Sequence, residues 1–478
     1  MIYISKIDNL HIKVDVSTRE YIKDLKEHFS SYVEGYQYTP KYKLGYWNGK
    51  ICMYNSVNKS LPYGLLTDLI HFHKKNYPDE KISVSDDVKA LFKGNISNIK
   101  YDLNLKPRYY QKDTIEVCLK YSKGIIKSAT ASGKSLVIAY IIKNLLRTKQ
   151  IKQSLIVVPN INLVQQFYKD LIEYGIKEDL IGKVYLKFKE FNKPIVVSTW
   201  QSLMRNHDKL KKYQCVIIDE VHSARSLQIQ KILQKCPDAP FRFGFTGTLP
   251  TNNIDIWNVQ SYLGPVLKEY NSNELAEQGF ISKCNINIIN IEYHNEFKGD
   301  YNKIKDSIFI NSYRLSVIKN IVESVDKNIL LLVGKVDKEG KVLEDFFNNN
   351  PIKDREVVFI YGDTKADVRE YWRDECEKRN NIILIATYGV YQVGVNIKSL
   401  MYIILAAPFK SKIRVIQSIG RGLRKHEDKI DGAVIWDIID NTKYFEDHGN
   451  KRLRHYNDEE FHVTEQLYNE GDDINILP

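Results

Sequence analysis

The residues Ser132-Gly133-Lys134-Ser135 constrain this chain more than any other stretch, because of what stands on either side of them. The short apolar segment Gly124-Ile-Ile-Lys127 comes before them, and Leu136-Val-Ile-Ala-Tyr-Ile-Ile142, which reads as a buried helix, comes after. Strand, small-residue loop, Lys-Ser and helix is the context a phosphate loop needs. Backbone N–H groups from Thr130, Ala131, Ser132 and Gly133 and the helix N-terminus face the phosphates, Lys134 supplies a point charge, and the Ser135 hydroxyl reaches Mg²⁺. Ser128 stands where the common pattern G-x-x-x-x-G-K-[ST] has its first glycine. Further along, Asp219-Glu220-Val221-His222 closes the apolar run Cys215-Val-Ile-Ile218, so its carboxylates emerge at the end of a second strand. One can hold Mg²⁺ and the other can polarise an attacking water. Each motif alone has a bland reading, as a small-residue turn or a solvated strand end. Together they imply nucleotide hydrolysis with ATP and Mg²⁺ as cofactors.

A third stretch, Gln417-Ser-Ile-Gly-Arg-Gly-Leu-Arg424, puts Arg421 and Arg424 three apart on one helical face. From there both guanidiniums can reach a γ-phosphate, and such an arginine finger contributes roughly 10³–10⁵ in rate. The alternative is a basic surface helix, which Lys425 also suits; Gly420 and Gly422 argue against it, since glycine is costly in a helix without a packing reason.

In order and spacing, Arg108-Tyr-Tyr-Gln111, Ala129–Ser135, Asp219–His222, Thr246-Gly-Thr248 and Gln417–Arg424 resemble the motif series of superfamily 2 helicases. Val157-Val-Pro-Asn160, Ser198-Thr-Trp-Gln-Ser202 and Ala386–Asn396 fill intermediate positions, so the resemblance spans residues 108–424. Within that superfamily it is nearest to the phage recombination helicases that act on branched DNA. It rests there on Gly35–Lys50, Leu61-Pro-Tyr-Gly-Leu65, Ile385-Ala-Thr-Tyr-Gly-Val390 and Lys410-Ser-Lys412.

The resemblance implies an α/β fold of two tandem RecA-like parallel-sheet lobes preceded by a small α+β N-terminal domain. It implies that Gln111 reads the adenine edge with Arg108 or Tyr109 stacking near it, and that Lys134 contacts the β- and γ-phosphates. Ser135 and Asp219 would hold Mg²⁺, and Glu220 would orient or deprotonate water. Gly394 joins the nucleotide-binding set. His222, Thr246, Gly247, Thr248 and Gln417 would couple the ATP site to movement, although His222 also suits a satisfied strand end. Asn160, Thr199, Gln201, Thr387 and Asn396 would grip the nucleic-acid backbone; at Asn396 many relatives carry an acidic residue. The implied activity is an ATP-dependent DNA helicase or translocase, moving 3′→5′ and remodelling forks, Holliday junctions, displaced loops and RNA–DNA hybrids. The partners are then branched, single-stranded and duplex DNA. An RNA helicase, a duplex-translocase subunit of a restriction system and an idle nucleic-acid-binding scaffold are the alternatives. Pro78-Asp-Glu-Lys81 is too compressed for a restriction nuclease, and the intact Lys134, Asp219, Glu220, Arg421 and Arg424 count against an idle scaffold.

Composition sets bounds around this reading. Across 478 residues the net charge is +11, distributed as +4 over residues 1–100, +12 over 101–270, −1 over 271–450 and −4 over 451–478. A basic front half suits a polyanion held by the leading domain and first lobe. The six cysteines are scattered without a C-x-x-C pair, which argues against a zinc site and suits a reducing cytosol. No secretory signal pattern and no apolar run of membrane-spanning length is present, so a cytoplasmic location and no membrane partner are expected.

The chain is expected to divide into residues 1–100, a small nucleic-acid-binding domain; 101–275, the ATP-binding lobe; 276–450, the second lobe; and 451–478, an acidic, solvated tail. In the first part Thr18–His28 has helical spacing with Ser17 or Thr18 as cap. The aromatic stretch Tyr32–Lys50 reads as short strands joined by hairpins, with most rings packing a small core. Lys41, Lys43, Tyr46, Trp47 and Lys50 are its binding candidates, because Lys interleaved with Tyr and Trp supplies backbone contact and base stacking.

Overall fold

Runs of five or six apolar residues bounded by turn signals dictate parallel sheets, because a strand covered on both faces has no polar side to show. In this computed structural model, which describes residues 2–16, 18–94, 96, 98–129, 131–221, 226–250, 252–393, 397, 399–407 and 432–474, the chain forms two compact units. One comprises Met1–Ser128 and Gly133–Glu269, the other Ala129–Ser132 and Tyr270–Pro478.

The first unit holds an eight-stranded sheet. Its strands lie in the order Phe188–Lys189, Ile181–Tyr185, Ile195–Thr199, Ser154–Val158, Cys215–Asp219, Phe241–Thr246, Lys123–Ser128 and Val266–Tyr270. From Ile181–Tyr185 to Lys123–Ser128 every neighbouring pair is parallel. The helices Tyr109–Tyr121, Lys134–Arg147 and Ile161–Glu173 pack apolar faces on one side of it. A second core, fed by Ser226–Gln234 and Asn253–Leu263, covers the other side. This is the doubly covered parallel sheet that the apolar runs require.

The leading residues build a four-stranded sheet in the order Ser60–Pro62, His11–Asp15, Ile2–Lys6, Ile82–Val84, backed by Arg19–His28 and Leu66–Asn76. Thr18 caps the first helix by accepting from the Tyr21 N–H at 3.4 Å. The apolar core of this sheet also takes in Ile254 and Trp257 of helix Asn253–Leu263. Phe29 lies 5.7 Å from the Trp257 ring, and the Tyr63 hydroxyl donates to the Tyr262 carbonyl. A division at residue 100 therefore does not separate two compact bodies: residues 1–100 share a core with the first lobe.

The second unit carries seven strands, all parallel, in the order Glu356–Ile360, Ile382–Thr387, Ile329–Val333, Tyr402–Leu405, Ala433–Asp440, Cys284–Glu292, His462–Asn469. Buried ion pairs help fix its interior. Arg314 Nε meets Asp440 Oδ1 at 2.8 Å, and Arg452 Nε meets Asp437 Oδ2 at 2.7 Å. The Tyr293 and Tyr456 hydroxyls donate to the same two carboxylates at 2.6 and 2.7 Å.

Two expectations are corrected here. Residues 451–478 do not form a solvated tail: Phe445–Asp458 is a helix, and His462–Asn469 is an edge strand paired with Cys284–Glu292 along its length. Glu465 is exposed on that edge strand, where charge blocks further pairing. The aromatic stretch is not a set of strands either. Only Ser30–Tyr32 and Lys50–Cys52 pair, and between them run a 3₁₀ turn at Tyr36–Tyr38 and a short helix at Pro40–Lys43. Pro40 at the first helical position and left-handed backbone at Gly35, Gly45 and Gly49 override the strand preference of the aromatic residues.

Candidate nucleotide and nucleic-acid sites

The helix Lys134–Arg147 begins at Gly133, whose φ of 80° is left-handed backbone. A Cβ there would lie 2.5 Å from the Gln111 amide nitrogen, so this position needs glycine on both counts. Gln111, buried near the start of helix Tyr109–Tyr121, accepts from the Arg108 N–H at 2.8 Å and donates to the Gly133 carbonyl at 3.5 Å. The Arg108 guanidinium donates to the Tyr110 hydroxyl at 3.2 Å, and the Tyr109 ring is exposed. The start of that helix is thus tied to the phosphate loop. Lys134 Nζ donates to the Ser128 carbonyl at 3.3 Å and lies 3.6 Å from Glu220 Oε1. Ser135 Oγ is 2.8 Å from the Tyr174 hydroxyl, a neighbour that no motif spacing announces.

Asp219 ends the strand Cys215–Asp219, two strands from Lys123–Ser128. Burial pushes its carboxyl above the usual range, the adjacent Glu220 charge adds to this, and Lys134 opposes both. Asp219 Oδ1 is buried with no hydrogen-bond partner among the described residues. A buried oxygen left without a partner costs free energy unless a cation or water meets it, so this donor fits a hard divalent ion. The next residues reach the neighbouring strand: the Val221 N–H donates to the Phe245 carbonyl at 3.1 Å. Beyond Phe245, the Thr246 hydroxyl donates to the Thr248 carbonyl at 2.6 Å and accepts from the Thr248 N–H at 3.3 Å. Thr246-Gly-Thr248 is therefore a closed, buried turn beside the acidic pair. Thr130, His222, Gly394, Asn396, Gln417, Arg421 and Arg424 lie outside the described residues.

Known helicases match this chain along most of its length. Residues 2–88 match the family model "DNA helicase UvsW, N-terminal", residues 104–251 "Type III restriction enzyme, res subunit", and residues 313–426 "Helicase conserved C-terminal domain". The ATP-dependent DNA helicase UvsW of Enterobacteria phage T4 is 28% identical, over 97% of this chain and 98% of its own. Its crystal structure superposes with a TM-score of 0.51 at 26% identity, over 98% of this chain and 99% of that one. This chain belongs to the superfamily 2 helicases. The DNA 3′-5′ translocase XPB2 of Sulfurisphaera tokodaii is 23% identical over 77% of this helicase and 88% of its own length. The helicase Mss116 bound to single-stranded RNA shares the fold, with a TM-score of 0.56 at 16% identity over 78% of this chain and 77% of that one.

The backbone-gripping candidates of this helicase have structural duties as well. Asn160 caps Ile161–Glu173 by accepting from the Leu163 N–H at 3.0 Å, and Thr199 caps Trp200–Met204 by accepting from the Ser202 N–H at 3.4 Å. Both caps place helix N-termini at the ends of parallel strands, where phosphate is favoured. Gln201 is exposed beside the second cap, and Thr387 ends the strand Ile382–Thr387.

The aromatic stretch is where the side chains differ most from expectation. Its rings are not a core: Tyr38 is 80% and Tyr46 82% exposed, and Tyr32 and Tyr42 are exposed with Lys41 and Lys43 beside them. Tyr32 stacks on Tyr36 at 4.6 Å, Tyr42 meets Tyr36 edge-on at 4.8 Å, and Lys50 Nζ sits 4.8 Å over Tyr32. Gly49 lets Tyr36 approach, since a Cβ there would lie 2.3 Å from that ring. Trp47 is half-buried and donates Nε1–H to the Lys50 carbonyl at 2.8 Å, which makes it a brace for the turn.

Proposed function

We propose that this protein couples ATP hydrolysis to movement along DNA and remodels branched forms of it: forks, four-way junctions, displaced loops and RNA–DNA hybrids. The observation that carries the reading is the meeting of Lys134 and Glu220 across 3.6 Å, with Ser135 and Asp219 beside them, inside a helicase similar to the T4 DNA helicase along nearly its whole length. Nucleotide phosphates entering the loop would draw Lys134 off Glu220, freeing that carboxylate to orient or take a proton from water. Gln111, already fixed against Gly133, would read the adenine edge.

Ser135 and Asp219 are the residues to hold Mg²⁺, on the strength of the unpartnered Asp219 Oδ1. When bound, the ion supplies charge neutralisation at the β- and γ-phosphates. Arg421 and Arg424 would add charge stabilisation from the second lobe, as the family resemblance implies. Asn160, Thr199, Gln201, Thr387 and Asn396 would contact backbone phosphates, which fix register without reading sequence. Thr246-Gly-Thr248, His222 and Gln417 would relay the state of the ATP site to those contacts. The test is unwinding of a labelled four-way junction and a fork by wild type and Glu220→Gln. Wild type should open both in ATP, and the variant should bind ATP and neither hydrolyse it nor open DNA. An active Glu220→Gln protein would contradict the assignment.

A further inference from the structure

Lys123 begins the strand Lys123–Ser128 and is 3% exposed. Among the described residues no carboxylate pairs with it; its ammonium lies 4.5 Å over the Tyr63 ring. A second cation, Arg242, is fully buried close by and also lacks a carboxylate among the described residues. Its guanidinium donates instead to the carbonyls of Cys236 at 2.6 Å, Ala239 and Pro237 at 3.1 Å, and Tyr262 at 3.5 Å. Burial, with Arg242 and Lys6 adding repulsion, pushes the Lys123 ammonium down to about 7. Buried charge without a partner is a standing cost, relieved either by loss of the proton or by a counter-ion.

Lys123 also lines a cavity of about 150 Å³ between the leading sheet and the first lobe. Exposed Lys93 stands at the same cavity, as do Ser122 and Asn9. The one carboxylate in the lining, Asp238, accepts from the Asn9 amide at 3.2 Å. The space is roomy enough for one tetrahedral oxyanion with a water or two. It is not the nucleotide site. Lys123 opens the strand whose far end feeds the phosphate loop, roughly 17 Å away at ~3.3 Å per residue.

We propose that this cavity is a phosphate site, in which Lys123 and Lys93 hold a phosphate group supplied either by free orthophosphate or by the backbone of bound nucleic acid. Lysine suits this role as a point charge that a phosphate meets from any side. Occupation would hold Lys123 protonated and balance its charge where the leading sheet meets the helicase lobe, and so strengthen that joint.

The test uses the full-length Lys134→Ala protein, so that the nucleotide loop does not compete, titrated with sodium phosphate in a chloride buffer by calorimetry. One saturable site is expected, weakened at least tenfold by Lys123→Met. Lys93→Ala, an exposed change that leaves folding untouched, should weaken it several-fold. Uptake of a proton on binding at pH 8, read from buffers of different ionisation heat, would also follow. Repeating the titration with saturating duplex DNA separates the sources: loss of phosphate binding assigns the site to backbone phosphate, and retention assigns it to free phosphate. No saturable binding by the Lys134→Ala protein would overturn the proposal, as would binding that neither Lys123→Met nor Lys93→Ala alters.

Discussion

Gly64 tests whether the leading sheet is keyed to the first lobe or merely leans on it. A Cβ at Gly64 would lie 1.8 Å from the Gln260 carbonyl oxygen, 2.7 Å from its carbon and 2.9 Å from the Ser261 oxygen. All three are backbone atoms of helix Asn253–Leu263, so no side chain can swing aside. Gly64→Ala must therefore part the Tyr63–Leu65 turn from that helix by more than an ångström. Overpacking of this kind costs about 1–3 kcal/mol, and a rigid neighbour puts it at the upper end. The Tyr63 hydroxyl would also lose the Tyr262 carbonyl, worth about 1 kcal/mol. Against this stands a gain of about 0.4–1 kcal/mol from the stiffer unfolded chain. The net loss is about 3–3.6 kcal/mol, which corresponds to roughly 150- to 450-fold more frequent opening. Hydrogen exchange should report it as faster exchange in Leu66–Asn76 and Asn253–Leu263, with the second unit unchanged. Gly362 supplies the control: nothing lies within 4 Å of a Cβ there, so Gly362→Ala should leave exchange as it is. A Gly64→Ala protein exchanging within twofold of wild type would refute the reasoning.

Other consequences can be checked with standard assays. Glu220→Gln should lower ATP turnover by about 10²–10⁴ while leaving nucleotide binding intact, as read by a fluorescent ATP analogue. Tyr46→Ala should cost about 1–3 kcal/mol of single-strand affinity if that exposed ring stacks on a base, measured by anisotropy. Lys41→Ala with Lys43→Ala should instead flatten the salt dependence of the same binding curve. Arg314→Met strands the buried Asp440 carboxylate and should destabilise the second unit by about 3–5 kcal/mol in urea unfolding. The Lys123 ammonium is depressed in the folded state, so the unfolded chain binds more protons between about pH 7 and the ordinary lysine range. Its contribution to stability should rise with pH across that window, and the difference between wild type and Lys123→Met should show that slope.

Much of this was legible from residue order alone. The apolar runs Gly124–Lys127 and Cys215–Ile218 appear as the strands Lys123–Ser128 and Cys215–Asp219, because a strand covered on both faces is written as a continuous apolar segment. The turn into the helix Lys134–Arg147 was legible because left-handed backbone at Gly133 marks its start locally. What stayed hidden depends on partners distant in sequence. Cys284–Glu292 and His462–Asn469 are interrupted by polar residues; the first became a strand by pairing with both Ala433–Asp440 and His462–Asn469, the second by pairing with the first. Arg314 and Arg452 look like surface residues until Asp440 and Asp437 meet them in the core. In the aromatic stretch, one proline and three left-handed glycines outweighed a β-like pattern of tyrosines. The Tyr174 hydroxyl beside Ser135 carries no local signal at all.

The central claim is that Lys134 and its neighbours drive work on branched DNA. The most direct measurement is ATP turnover by wild type and Lys134→Ala with single-stranded DNA, plain duplex, a four-way junction, an RNA–DNA hybrid and RNA, each at two salt concentrations. Turnover should depend on Lys134, rise most with branched DNA and weaken as salt increases. Stimulation by RNA alone, or turnover that survives Lys134→Ala, would contradict the account.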